Sequence, residues 1–196
     1  MTYIGTQPNN VKENIGLYTP NDITALTKDG NWGGSLELIE EQTASSDSAL
    51  NFTSIKGSRY NVHFMTINNI DVSSDATDMN FRFYESGVLE SAGVYQYAFQ
   101  QQWASSFVND TKSTTATYLR ANASIGNDTN ETGQSYHYFY NLEDSSKYSF
   151  QTGEYLQLYS DSTMFVGFGG GVLPQASTVD GIQLYSSSGT FSGTVK

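Results

Sequence analysis

The side chains best suited to chemistry are few and scattered. The chain has two histidines, His63 and His137, and no cysteine. Each histidine sits in a run that alternates like a strand, so each reads as a packed or solvent-facing strand residue. A two-histidine metal site would need both rings on adjacent strands plus a carboxylate, and nothing in the sequence brings these together. The absence of cysteine excludes thiol catalysis, thiolate metal sites and a disulfide framework. There is no Gly-x-Ser-x-Gly turn, no His-Glu-x-x-His pair and no Gly-x-x-x-x-Gly-Lys loop. The run FVGFGGG at residues 165–171 is rich in glycine but lacks the lysine of a phosphate loop, and it reads as a strand ending in a flexible turn.

Carboxylates are plentiful. Glu37, Glu40, Glu41, Glu85, Glu90, Glu143, Asp144 and Glu154 could in principle furnish the acid pair of a glycosidase. No spacing selects a pair, and an acidic surface accounts for them. Asp71, Asp75 and Asp78 cluster in one loop, while Asn127, Asp128, Asn130 and Glu131 cluster in another. Calcium favours such oxygens, but neither run has the EF-hand pattern and both fit ordinary turn chemistry. The residues therefore imply no catalytic site, no metal and no cofactor.

Composition narrows the partners. The net charge is −11 with only nine Lys+Arg, so phosphate contacts would be scarce and nucleic-acid binding is not expected. An anionic membrane would repel the chain, and no stretch is long enough to span one as a helix. Residues 1–10 contain neither a basic region nor an apolar run, so they do not read as a signal peptide. Hydrophobic residues reach 37% and charged ones 15%, which leaves a neutral-polar chain rich in Ser, Thr, Asn, Gln and Gly. Aromatics nevertheless make up 14%, which argues for a cored β protein rather than disorder.

The elements that must position these residues fall into two parts. Residues 1–32 read as an arm with one short helix. Thr19 can cap it, Pro20 can take the first helical position, and Asp22 lies in the first turn. The helix should run for about two turns and end near Asp29-Gly30. Residues 33–196 read as a β domain with roughly ten strands and turn signals about every 8–15 residues, a rhythm that argues for two packed antiparallel sheets. Strands are expected at 35–41, around Leu50 and Phe52, and at 60–70, 80–84, 94–103, 117–124, 134–142, 148–150 with 155–159, 164–168, 179–186 and 190–196. In the run 60–70, Val62, Phe64 and Thr66 share one face, and His63, Met65 and Ile67 the other. The last two strands flank Ser187-Ser188-Gly189, which reads as a hairpin.

Two strands are strongly aromatic. Tyr136, Tyr138 and Tyr140 share one face of 134–142, and Tyr95, Tyr97 and Phe99 share one face of 94–103, which ends at Trp103. These stripes can be sandwich core or a stacking surface for a ligand, since tyrosine serves both. As a stacking surface the candidates are Tyr95, Tyr97, Trp103, Tyr136, Tyr138 and Tyr140. As an attachment interface the candidates are Tyr3, Ile4, Ile15, Leu17, Ile23 and Leu26, the apolar positions of the arm and helix.

The ends of the chain carry a resemblance. The start, TYIGTQP at 2–8, resembles the opening of many virion proteins of tailed bacteriophages. The end, TVDGIQLYSSSGTFSGTVK at 178–196, resembles the C-terminal hairpin of a β-sandwich module common in such proteins. That module usually runs on for a few residues with an aromatic and a glycine, whereas this sequence stops at Lys196 within the expected strand. The resemblance implies an all-β, two-sheet antiparallel sandwich of jelly-roll type behind an arm with a short helix. It also implies a non-enzymatic virion structural protein, a head decoration or a short head or tail fibre. Such a protein is assembled in the host cytoplasm and joins other capsid or tail proteins through its N-terminal arm, as a homo-oligomer with a trimer as the expected state. It carries no catalytic motif to transfer. A rival reading from the residues is a carbohydrate- or receptor-binding module of a fibre tip that meets a host-surface glycan through Tyr and Trp. A further one is a polysaccharide hydrolase.

Overall fold

The computed structural model describes residues 19–28, 36–105 and 108–196. It divides into two compact units, residues 1–38 and 39–196. In the first, helix α1 spans Pro20–Lys28. Its start is a reciprocal cap. The Asp22 amide donates to Thr19 Oγ1 at 3.2 Å, and the Thr19 amide donates to Asp22 Oδ2 at 2.8 Å. The Thr19 hydroxyl and amide together hold the Asp22 carboxyl below its usual range. The expected cap, first-turn proline and two-turn length are all observed.

Among the described residues the second unit contains thirteen strands: β1 Gln42–Asp47, β2 Ala49–Phe52, β3 Val62–Val72, β4 Thr77–Glu85, β5 Val88–Leu89, β6 Tyr95–Trp103, β7 Val108–Ala116, β8 Leu119–Ile125, β9 Gly133–Tyr140, β10 Tyr148–Leu158, β11 Met164–Ala176, β12 Val179–Ser186 and β13 Phe191–Val195. Every pairing among the described residues is antiparallel. The large sheet has the order β1-β13-β3-β9-β10-β11-β6-β7. The small sheet has the order β2-β12-β4-β5, with β8 also on β4.

Within this order lies a jelly roll. The block β1-β13-β3-β9 of one sheet answers the block β2-β12-β4-β8 of the other. The chain hops between sheets at β1–β2, β2–β3, β3–β4, β5–β6, β7–β8, β8–β9, β11–β12 and β12–β13, and among the eight strands of the two blocks this is the alternation of two interlocked Greek keys. Two hairpins, β6–β7 and β10–β11, stay within the large sheet. They widen the large one to eight strands.

Several expectations need correction. The segment 187–189 is not a hairpin: β12 pairs with β2 and β4, while β13 pairs with β1 and β3. The turn is an arch across the sandwich, held by Gly189 at φ 64° and by the Thr190 amide donating to Ser73 Oγ. Residues 36–41, expected as the first strand, are not strand, and Gln42–Asp47 is. The glycine-rich 165–171 lies inside β11, a strand of 13 residues, and is no turn. Its glycines are steric. A Cβ on Gly167 would fall 2.2 Å from the Tyr155 ring.

The core between the sheets is aromatic. Phe81 meets the Phe139 ring edge-on at 5.1 Å, Phe99 lies 5.7 Å from Tyr155, and Trp103 lies 4.1 Å from Phe165. The alternation read for residues 62–67 is observed, with His63, Met65 and Ile67 facing inward.

Candidate functional site

The polar interior explains both histidines. His137 is fully buried on β9. One ring nitrogen, Nε2, lies 3.1 Å from the Ala121 carbonyl, and the other, Nδ1, lies 2.8 Å from Gln151 Nε2. The carbonyl requires Nε2 to carry the proton, so Nδ1 accepts from the amide. Burial pushes the imidazole down to about 3, so it is neutral at physiological pH. Gln151 also donates to the Arg120 carbonyl, and Gln157 donates to the Ala123 carbonyl. Side chains of the large sheet thus stitch the backbone of β8, whose own ladder with β4 is broken twice by register shifts. His63 donates from Nε2 to the Ile55 carbonyl at 2.7 Å, and its burial lowers the imidazole pKa. Both rings have structural partners in the sandwich.

Three of the acidic groups weighed for chemistry are engaged locally. Asp78 pairs with the buried Arg120 guanidinium at 3.2 Å and accepts the Ser124 amide. Glu131 is buried and accepts from the Asp128 amide and the Ser162 hydroxyl. Asp144 is pulled down to about 2 by hydrogen bonds from Lys147 and Ser146. Among the described residues no group of three or more His, Asp or Glu side chains could hold a metal ion.

The expected stacking residues separate. Tyr95 and Tyr97 are buried between the sheets, and the Tyr95 hydroxyl both accepts from the Phe83 amide and donates to the Glu90 carbonyl. Trp103 packs on Phe165 and Tyr159. These three belong to the core because β6 turns its odd-numbered positions inward. Tyr136, Tyr138 and Tyr140 face out, because β9 turns Ser135, His137 and Phe139 inward. Of the expected attachment residues, Tyr3, Ile4, Ile15 and Leu17 lie outside the described residues, as does Trp32. Ile23 is half-buried on α1, and Leu26 lies on the same helix with its side chain outside the description.

The three outward tyrosines are not isolated. The ladder registers place them in cross-strand rows on the outer face of the large sheet. One row runs Gln96, Val172, Phe150, Tyr140, Val62 across β6, β11, β10, β9 and β3. The next runs Lys112, Ala98, Gly170, Thr152, Tyr138, Phe64, beginning one strand earlier on β7. A third runs Asp110, Gln100, Phe168, Glu154, Tyr136, Thr66. Seven large apolar residues here, Val62, Phe64, Tyr136, Tyr138, Phe150, Leu156 and Phe168, are each 36–52% exposed. At roughly 80–100 Å² each they open on the order of 600 Å², the top of the range that monomers leave uncovered. Local bonds order the rings. Tyr136 donates to Glu154 at 2.8 Å, the Tyr140 hydroxyl lies 3.3 Å from Thr152 Oγ1, and Phe64 lies 4.8 Å from Tyr138. The bond to Glu154 raises the Tyr136 pKa.

Over part of this face lies an open trough of about 760 Å³, lined by Gln96, Ala98, Lys112, Thr114, Phe150, Thr152, Gly170 and Val172 and by the backbone beneath them. Sequence reading did not find these residues. The available signal was strands with large apolar residues on both faces: Val62 and Phe64 back to back with Met65 and Ile67, and Phe150 and Leu156 opposite Tyr155. A strand in a one-sided sandwich needs only one apolar face.

The class defined by the fold is a jelly-roll β-sandwich with a widened sheet and an open aromatic outer face. The chain matches no family model, no curated protein sequence and no solved structure.

Proposed function

We propose that this chain is a non-enzymatic structural protein of a bacteriophage particle. In this reading the sandwich is displayed on the head or tail, and the first 32 residues attach it to neighbouring particle proteins. The observation that carries the reading is the pairing of a complete jelly roll, an architecture of capsid and lectin domains, with a separate N-terminal unit. The resemblance of residues 2–8 and 178–196 to phage virion proteins supports it. The interior titratable groups support it too, since His137, Arg120 and Glu131 are occupied in holding strands and loops together. Mass spectrometry of purified particles tests the reading directly: the chain should be present in stoichiometric amounts, and its absence refutes the proposal. Deleting residues 1–32 should then leave a folded sandwich that no longer enters the particle. Incorporation of the truncated chain would rule out the arm as anchor.

A further inference from the structure

The geometry points to a ligand for the trough on the large sheet: an extended, uncharged glycan strand. The trough follows a row that crosses the strands, from Lys112 over Ala98 and Gly170 to Thr152. Its lining comes from four strands, β7, β6, β11 and β10, which at about 4.8 Å spacing span roughly 14 Å, enough for two or three linked sugar rings. Its floor is low because Ala98 and Gly170 stand where the flanking rows carry Gln96 and Val172 on one side and Gln100 and Phe168 on the other. Phe150 borders the floor, 43% exposed, as a face for the apolar C–H side of a pyranose ring.

Direction and charge select the occupant. A peptide recognised by an exposed edge lies parallel to the strands and joins the ladder. This trough crosses the strands, so a chain lying in it meets side chains instead. Those side chains are amides and hydroxyls, Gln96, Thr114 and Thr152, which offer both donors and acceptors to sugar hydroxyls. The chain has 20 acidic residues, yet none lines the trough, and the one charged lining residue is Lys112. A polyanion would find a single ammonium there and a net charge of −11 around it. A polycation would find no carboxylate in the lining. The complementary polymer is a neutral, hydroxyl-rich one.

Affinity electrophoresis of the full-length chain through gels containing dextran, galactan, xylan or glucomannan, with alginate and polygalacturonate as acidic arms, tests the assignment. At least one neutral polymer should retard the protein. Phe150→Ala should weaken that retardation about tenfold or more by removing the stacking face. Ala98→Gln should do the same by filling the floor, and it should fold, because Gln96 and Gln100 already stand outward on the same strand. Val88→Ser, on the small sheet and 70% exposed, should change nothing. The proposal is overturned if no neutral polymer retards the chain, if only the acidic polymers do, or if both trough variants bind as the parent does. It is equally overturned if sedimentation shows copies of the chain associating through this face and the same variants abolishing that association without any glycan effect.

Discussion

His137 should make the sandwich acid-sensitive by an amount that one substitution isolates. In the folded chain its imidazole is pushed down to about 3, first by burial, against a weaker opposing effect of the bond to Ala121. In the unfolded chain it titrates near the ordinary value of 6.5. The folded state therefore excludes a proton that the unfolded state accepts. The stability is fully present above pH 6.5 and is lost as pH falls, at about 1.4 kcal/mol per unit until the folded value is reached. At pH 4.5 the loss is about 3 kcal/mol, a large part of the 5–15 kcal/mol typical of a domain. His137→Gln removes the titration while leaving a side-chain N–H for the Ala121 carbonyl. Urea unfolding followed by tryptophan fluorescence, from pH 7.5 to 4.5, gives the stability difference between parent and variant. His63 and the carboxylates are present in both proteins, so their contributions cancel. The parent's stability relative to the variant should be constant above about pH 7 and fall by about 3 kcal/mol by pH 4.5. A difference that stays flat across the range would refute the reasoning, whatever its absolute size.

Other perturbations probe other parts of the molecule. Asp78→Asn should cost about 3–5 kcal/mol in urea unfolding, because it strands the buried Arg120 guanidinium without its counter-charge. Gly167→Ala should lower the melting temperature sharply, since its Cβ would meet the Tyr155 ring; a change under about 0.5 kcal/mol would mean that β11 yields there. Thr19→Ala should weaken α1 by about 1 kcal/mol, read as faster amide exchange at Asp22 and Ile23, with no change in the sandwich's own unfolding.

The sequence announces local structure better than topology. The helix was legible because its cap is written in three side-chain choices within four residues, Thr19, Pro20 and Asp22. The long strands β3, β4, β6, β9 and β12 were legible because burial on one face imposes a period of two. By contrast β1 and β7 end the large sheet and bury little: in Gln42–Asp47 only Ala44 is buried. A strand held by ladder bonds alone leaves no period to read. The arch between β12 and β13 was misread because its Ser-Ser-Gly residues serve any tight turn. What decides hairpin or arch is the partner each strand finds, and those partners, β3 and β4, lie roughly a hundred residues away or more. The site was half legible for the same reason. The outward face of Tyr136, Tyr138 and Tyr140 follows from β9 alone. Phe64, Phe150 and Phe168 join it only through the registers of three other strands.

The outer face is not a by-product of a surplus of apolar residues. Only 37% of the chain is hydrophobic, yet seven large apolar side chains stand on the solvent side of one sheet. Polar residues with good strand propensity would fill those positions without loss to the core. Leu156→Thr and Phe168→Thr test this directly. Both side chains point away from the core, at 47% and 52% exposure, and threonine suits a strand. If the face is free for a ligand, each substitution should alter unfolding by no more than about 0.5 kcal/mol. Phe64 differs, because its ring packs on Tyr138 at 4.8 Å, and its loss should cost about 0.5–1.5 kcal/mol more. If Leu156→Thr or Phe168→Thr instead cost over about 2 kcal/mol, those side chains would be contributing to the fold in the manner of core residues. The apolar rows would then need no ligand to explain them. A near-neutral result leaves the rows unexplained by stability, and the structural feature that sets them apart is the trough they border.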